Sequence, residues 1–333
     1  MKSLESAITA GLLAMITATS AFAETDMIRI TKQPGALYAP VIMLEQQKIL
    51  EKHLAAKGLG APKIEWVTVL SGGAANDALL ANGIDIVVSG VSNMLLLWGK
   101  TNGDVKAITG LSGLPFKLVT RNPNIKTIKD FTPNDRISLP TIKMSMQAIT
   151  LGIALQKAWG DDKANEKLLT NQVQMGHPDS LGALLNPGHE VTSSFIASPF
   201  QEIALKNPQI REVLNSMDAL GGAAHVGLIY STKKFTEANP KTVEAFIAAY
   251  DEACASLKKN PKAAAELYLS VTKEKVTVDE LAALFTQPGA IYQAAPVRTM
   301  VYAQYMHKAG FIKTEPKSWK DYFFPFIHNR EGS

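Results

Sequence analysis

The stretch "RISLPTIKMSMQAITLGIALQKAWG", residues 136–160, indicates how this chain is built. Ile137 to Leu139 predicts a short strand, Pro140 and Thr141 a turn, and the apolar pattern from about Ser145 a helix. Gly160 is expected to end that helix as a C-cap. The turn carries small, polar and sulfur-containing side chains, which a plain connection does not need. We therefore expect it to meet a ligand or another part of the molecule.

The composition is that of an ordinary globular protein. With 333 residues, 46% of them hydrophobic and 19% charged, the chain can bury a large core and is expected to divide into two units. The formal net charge is +4, and the basic residues are scattered along the chain. This distribution argues against a nucleic-acid-binding surface.

Residues 1–23 have the pattern of a secretory signal peptide, which is favoured over an ordinary N-terminal helix. Lys2 precedes an apolar run over residues 8–16, and Ala21 and Ala23 form an A-x-A cleavage pattern before Glu24. No later apolar run approaches the roughly 20 residues that span a bilayer. The single cysteine, Cys254, is far from the cleavage site, which excludes a lipid anchor there and an internal disulfide. We expect the mature protein to be soluble and to lie outside the cytoplasm.

Strands and helices alternate in the first part of the mature chain. Strands are predicted at residues 26–32, 63–70, 84–90 and 105–113, with a loop and a helix after each of the first three. This order favours a mostly parallel sheet covered by helices on both faces. Ligands in such sheets bind at the carboxyl ends of the strands.

A second unit follows the same alternation. It begins with a strand at residues 116–123 and a short helix at 126–131, and it includes the quoted stretch. Residues 189–207 predict a strand, a loop and a helix starting near Pro199, and His177 and His189 flank a predicted surface loop. Beyond a strand preceded by Gly221 and Gly222, the chain is predicted to be helical, with a capping box from Thr277 to Glu280.

Four segments carry a resemblance to a known family. They are "SGGAANDALLANGIDIVVSGVSN" (71–93), "IKDFTPNDRISLPTIKMSMQAITL" (128–151), "SSFIASPFQEIAL" (193–205) and "LIYSTKKFTEANPKTVEAFIAAYDEA" (228–253). In order and spacing the chain resembles the periplasmic solute-binding proteins of ABC importers. The matching group is the nitrate, sulfonate and taurine group, which includes the thiamine-precursor-like proteins. The resemblance covers nearly the whole mature chain.

The resemblance implies an α/β, bilobal periplasmic-binding-protein type II fold, in which two α/β lobes are joined by two crossover strands with a ligand cleft between them. Lobe I would comprise residues 24–113 and the helical residues 225–333, and lobe II residues 114–224. The crossovers would lie near residues 110–116 and 221–225, with their glycines as hinges. The resemblance also implies a monomer that docks transiently on a membrane permease, without a cofactor.

The candidate ligand-binding residues lie in the loops that would face this cleft. From lobe I they are Gln33, Pro34, Leu37 and Tyr38, then Ser71, Gly72 and Gly73, then Ser89, Gly90, Ser92 and Asn93. From lobe II they are Thr141, Lys143, Met144 and Ser145 in the quoted turn, and Ser198, Pro199 and Phe200. Simple roles compete with ligand binding here, because Ser145 and Asn93 suit helix caps and Phe200 suits the core.

Helix starts in these loops favour a small organic anion, such as a sulfonate, taurine or a carboxylate, because they offer free backbone N–H groups. The family often adds an arginine, yet Lys32 and Lys143 are the nearest cations in these loops. Tyr38, Met144 and Phe200 leave open a neutral or aromatic heterocycle, such as a thiamine-precursor-like pyrimidine.

No catalytic pattern stands out. The six histidines show no metal-ligand spacing, and the chain has no G-x-S-x-G, P-loop or G-x-G-x-x-G motif. We therefore expect no metal site and no enzymatic activity. A periplasmic enzyme or a sensor on the same fold is the alternative from another class, since fold does not determine function.

Overall fold

The structure is a computed structural model that describes residues 24–69 and 71–333. The predicted signal peptide, residues 1–23, lies outside the described residues. The strands are β1 (Met27–Lys32), β2 (Lys63–Thr68), β3 (Val87–Gly90), β4 (Val105–Gly110), β5 (Ser112–Gly113), β6 (Lys117–Thr120), β7 (Ile137–Leu139), β8 (Gln172–Gln174), β9 (Ser193–Ile196), β10 (Arg211–Asn215), β11 (Gly227–Thr232) and β12 (Ile291–Tyr292). The helices are α1 (Ala39–Gln46), α2 (Ile49–Ala56), α3 (Gly72–Leu80), α4 (Val91–Lys100), α5 (Met146–Trp159), α6 (His177–Leu185), α7 (Phe200–Leu205), α8 (Ser216–Leu220), α9 (Lys233–Ala238), α10 (Pro240–Lys259), α11 (Pro261–Thr272), α12 (Val278–Thr286) and α13 (Met300–Lys308).

The strands form two main sheets, each the centre of a lobe. In the first lobe β1 pairs in parallel with β2, and a bridge from Ile30 to Ile86 connects β1 to the segment that leads into β3. β11 lies between β3 and β4 and is antiparallel to both. The second lobe contains the order β10-β6-β9-β7-β8.

Most strands of each main sheet share one direction, as predicted, but each sheet contains one strand, β6 or β11, that is antiparallel to its neighbours. β7 is parallel to β8 and β9, whereas β6 is antiparallel to β9 and β10. The reason is the path of the chain. β6 and β11 are the strands that enter each lobe after the chain has crossed from the other lobe, so they run away from the crossing while their neighbours run toward it.

The two segments that cross between the lobes lie side by side. Leu111 N–H donates to the carbonyl of Gly227 at 3.0 Å, and Val226 N–H donates to the carbonyl of Ser112 at 2.9 Å. A β-carbon on Gly113 would lie 2.1 Å from the carbonyl oxygen of Ala224, so only glycine fits this approach. The lobe boundaries at residues 113/114 and 224/225, and hinge motion at these segments, remain predictions.

The quoted stretch folds as predicted because its signals are local. Ile137–Leu139 is buried β7, and Ser145 caps α5 by accepting the N–H of Ala148 at 3.2 Å. Gly160 ends α5 in the left-handed conformation, with φ 64°. The Thr277–Glu280 capping box at the start of α12 is also present.

Two local predictions are wrong. Residues 126–131 form turns rather than a helix, because the Asp130 carboxylate accepts the backbone N–H groups of Lys126 and Thr127 at 2.9 and 2.7 Å. The predicted surface loop after His177 is α6, with Pro178 in its first turn. Among residues 24–69 and 71–333, none of the helices combines the length and hydropathy needed to cross a membrane.

Candidate functional site

Three loops of the first lobe meet at the carboxyl ends of β1, β2 and β3. Gln33 donates its side-chain amide to the carbonyl of Val88 at 3.0 Å, which ties the first loop to β3. Gly72 packs so closely on the third loop that a β-carbon would lie 1.9 Å from Nδ2 of Asn93 and 2.6 Å from Oγ of Ser89. Asn93 in turn donates to Ser89 at 3.2 Å.

The turn before α5 contacts the first lobe. Ser92 donates its hydroxyl to the carbonyl of Met144 at 2.7 Å, and its backbone N–H lies 3.2 Å from the sulfur of Met146. Met146 also packs against Gly90. The turn that the sequence singled out therefore meets the loop between β3 and α4.

The loop after β9 makes a second contact between the lobes. The Ser198–Pro199 peptide is cis, and the carbonyl of Ser198 accepts the N–H of Ala36 at 3.4 Å. The hydroxyl of Ser198 donates to Glu202 at 2.9 Å, and burial raises the pKa of that carboxyl. The cleft lies between this contact and the one at Ser92.

Four helices begin at the cleft, α3 and α4 from the first lobe and α5 and α6 from the second. Their starts are joined by the contacts of Gly72 with Asn93, of Ser92 with Met146 and of Gln147 with His177. The first N–H groups of a helix have no partner within it and carry a partial positive charge. Among the described residues, no acceptor is found for the backbone N–H groups of Gly72, Gly73, Met146 and Gln147. The first turns of α3, α4 and α5 contain no acidic residue, whereas α6 has Asp179. The arrangement suits a small anion.

No protein-family model matches the chain, and no curated protein matches it. Several solved structures have the same architecture as this chain. The alkanesulfonate-binding protein SsuA from Xanthomonas axonopodis pv. citri, bound to MOPS, has a TM-score of 0.72 at 16% identity, over 91% of this chain and 99% of that one. The periplasmic aliphatic sulphonate binding protein SsuA from Escherichia coli has a TM-score of 0.67 at 18% identity, over 90% and 92%. The periplasmic nitrate-binding protein NrtA from Synechocystis PCC 6803 has a TM-score of 0.65 at 14% identity, over 90% and 84%.

The chain has the bilobal periplasmic binding-protein fold. This confirms the fold predicted from the sequence.

Several predicted site residues have structural roles within this binding-protein fold. Ser71 and Ser145 are N-caps, accepting the N–H groups of Ala74 and Ala148. Phe200 belongs to a small core cluster of the second lobe. Tyr38 belongs to the main core, where burial raises the pKa of its phenol.

The remaining predicted residues differ in exposure. Thr141, Met144 and Leu37 are half-buried, and the carbonyl of Leu37 accepts the hydroxyl of Ser112 at 2.5 Å. Lys143 and Pro34 are exposed, as is Gly73. Lys143 has a φ of 65°, in the left-handed region.

Sequence reasoning missed two residues of the cleft edge, Gln147 and His177. His177 flanks a predicted surface loop, yet in the structure it is the first residue of α6 and stacks on Phe200. Burial lowers the pKa of His177 to about 4. The signal that pointed to it was "QVQMGHPD", a short strand followed by Gly176 and an N-terminal helix proline.

Two cavities, of about 880 and 830 Å³, lie elsewhere on the first lobe. Asp104, Lys233 and Glu237 line both, at the Val105–Thr232 end of the first sheet. The cleft loops lie at its opposite end, beside Gly90 and Gly110. We place the site at the cleft because the helix starts converge there. Over the described part of the chain, no three His, Cys, Asp or Glu side chains come together as they would around a metal ion.

Proposed function

We propose that this chain is the extracytoplasmic solute-binding component of an ABC importer. It captures a small organic anion, a sulfonate, a taurine-like compound or a carboxylate, in the inter-lobe cleft and delivers it to a membrane permease. The observation that carries this proposal is the convergence of the starts of α3, α4, α5 and α6 on one cleft between two lobes. Removal of residues 1–23, a periplasmic location and a monomeric state belong to the same proposal.

The charge distribution supports an anion held without an ion pair. Lys32 lies at the end of β1, but its ammonium group pairs with Glu45 at 2.6 Å. Lys143 is exposed on the turn before α5. The negative charge of the solute would therefore be balanced by backbone N–H groups and helix dipoles, as in other anion sites at helix N-termini.

The solved neighbours support the same role. They are binding proteins for sulfonates and nitrate, and the protein from Xanthomonas was solved with MOPS, a sulfonate. The one cysteine supports a non-catalytic role, because the thiol of Cys254 is buried beside Tyr250 and burial raises its pKa to about 12. Such a thiol does not serve as a nucleophile at neutral pH.

The test is a thermal-shift screen of residues 24–333 followed by titration calorimetry. The panel is taurine, ethanesulfonate, benzenesulfonate, benzoate, nitrate and 4-amino-5-hydroxymethyl-2-methylpyrimidine. A solute that binds only the folded state at about 100 times its Kd stabilises it by about 2.7 kcal/mol, which raises the melting temperature by several degrees.

Stabilisation by sulfonates or carboxylates supports the proposal. Stabilisation by the pyrimidine alone would replace the organic anion with a neutral heterocycle. If no compound in the panel shifts the melting temperature, solute capture of this kind is contradicted and the enzyme or sensor alternative gains weight.

A further inference from the structure

The imidazole of His177 lies where α5, α6 and α7 begin at the cleft edge. It stacks on Phe200, with ring centroids 6.0 Å apart and planes inclined by 27°. Its Nε2 lies 3.5 Å from Nε2 of Gln147, a side chain only 6% exposed. Gln147, His177 and Phe200 thus come from three helices and form one group, which we call the His177 cluster.

The protonation state of His177 follows from its surroundings. Burial keeps the ring neutral at pH 7 by lowering its pKa to about 4, so one ring nitrogen donates and the other accepts. The amide nitrogen of Gln147 can only donate, which makes Nε2 of His177 the acceptor and leaves the proton on Nδ1. Nδ1 is buried and has no hydrogen-bond partner among the described residues. A buried donor without an acceptor is destabilising. Because Nδ1 is out of reach of solvent in this arrangement, an acceptor from outside the chain reaches it only when the lobes shift to admit a solute.

The His177 cluster lies between the two contacts that join the lobes. Gln147 directly follows Met146, whose sulfur contacts the backbone of the first lobe. Phe200 is two residues after Ser198, whose carbonyl accepts an N–H from the first lobe. A solute enclosed between these two contacts therefore lies next to the ring of His177.

We propose that His177 is a specificity-determining residue of the cleft, its Nδ1–H donating a hydrogen bond to an oxyanion oxygen of a bound sulfonate or carboxylate. This inference rests on the proposed function. A neutral donor selects an acceptor oxygen without adding charge to the cleft. Phe200 holds the plane of the ring, and Gln147 determines which ring nitrogen carries the proton.

The test uses the mature protein and calorimetric titration with ethanesulfonate, benzenesulfonate and benzoate. His177→Phe keeps an aromatic ring on Phe200 and removes the N–H, and His177→Gln returns an amide donor. The matched control is His189→Phe, which lies before β9, at the end of the second sheet opposite the cleft. Loss of a hydrogen bond to a charged group lowers the affinity by roughly 10- to 100-fold.

The expected result is a loss of about tenfold or more in His177→Phe, partial recovery in His177→Gln, and unchanged affinity in His189→Phe. If His177→Phe and His177→Gln both bind these anions as the wild type does, His177 has no such role, while solute capture stands. If the wild type binds only the pyrimidine of the thermal-shift panel, the oxyanion role of His177 is wrong, while the proposal that the protein captures a solute stands. Failure of the wild type to bind any probe overturns both.

Discussion

The hydroxyl of Ser92 donates a hydrogen bond to the carbonyl oxygen of Met144 at 2.7 Å, although the two residues are 52 positions apart and belong to different lobes. The backbone N–H of Ser92 also faces the sulfur of Met146 at 3.2 Å. The unusual side chains of the turn before α5 are therefore at the meeting point of the lobes. We expect these contacts to hold the two lobes against each other.

Ser92→Ala is expected to weaken lobe closure. The side chain is fully buried, so its loss leaves the Met144 carbonyl without a partner, at a cost of about 1–3 kcal/mol to the closed state. Affinity for the best anion of the screen should fall by roughly fivefold or more. Small-angle scattering should show a larger radius of gyration. Ser270→Ala, on the exposed face of α11, removes a hydroxyl bonded within its own helix and should change neither quantity. Unchanged scattering in Ser92→Ala would contradict the prediction.

Gly72→Ala is expected to disturb the loops of the first lobe. Its β-carbon would lie 1.9 Å from Asn93, so the loop after β3 must shift, at a cost of roughly 1–3 kcal/mol. Both the melting temperature and the affinity for the anion should decrease. The control is Gly182→Ala in α6, where nothing lies within 4 Å of the new carbon. There alanine should stabilise the helix by roughly 0.5–1 kcal/mol. Equal melting temperatures for the two variants would show that the close packing at Gly72 is absent.

Ser145→Ala separates capping from ligand binding. Loss of the cap on α5 should cost about 1 kcal/mol of stability. Affinity should fall as well, because the cap orders the first N–H groups of α5 at the cleft. Thr277→Ala removes an equivalent cap from α12, outside the cleft loops, and should cost similar stability without loss of affinity. Melting curves and calorimetric titrations of both variants check this. If Ser145→Ala binds the anion as tightly as Thr277→Ala does, the start of α5 is not part of the site.

Stability is expected to fall in mild acid because of His225, beside the crossing segments. Its Nδ1 accepts the N–H of Val297 at 2.9 Å, and its Nε2 lies 3.1 Å from the carbonyl of Gln293. Burial is the main reason that the pKa of His225 is lowered to about 4; the carbonyl of Gln293 raises the pKa and the charge of Lys258 lowers it, each by less than burial does. The unfolded chain, with a histidine pKa of about 6.5, therefore binds more protons than the folded chain between pH 4 and 6.5.

The stability contributed by neutral His225 is therefore complete above pH 6.5 and decreases as the pH falls toward 4. From pH 7 to pH 5 the loss is about 2 kcal/mol. Melting temperatures across this range should show the decline, and His225→Gln should make it shallower. His177 titrates in the same direction, so His177→Gln should also reduce the slope. A wild-type melting temperature that stays constant from pH 7 to pH 5 would contradict the prediction.

Local features were predictable because their interactions lie within a few residues. The structure contains three local features at the predicted positions: β7, α5 with its Ser145 and Gly160 caps, and the capping box of α12. Residues 126–131 show the limit of such reasoning, since one aspartate side chain bonding to nearby backbone outweighed a weak helical pattern. His177 was misplaced because periodicity over a short segment with Gly and Pro does not separate a helix start from a loop.

The sequence by itself determined the elements, their order and the loops that follow the strands, since propensity, capping and hydrophobic spacing act over a few residues. Only the tertiary structure decided which loops meet. The contacts of Ser92 with Met144 and Ala36 with Ser198 depend on how two lobes pack after the chain has crossed between them twice. The antiparallel direction of β6 and β11 and the unpartnered Nδ1 of His177 have the same origin, because each depends on neighbours that the linear sequence places far away.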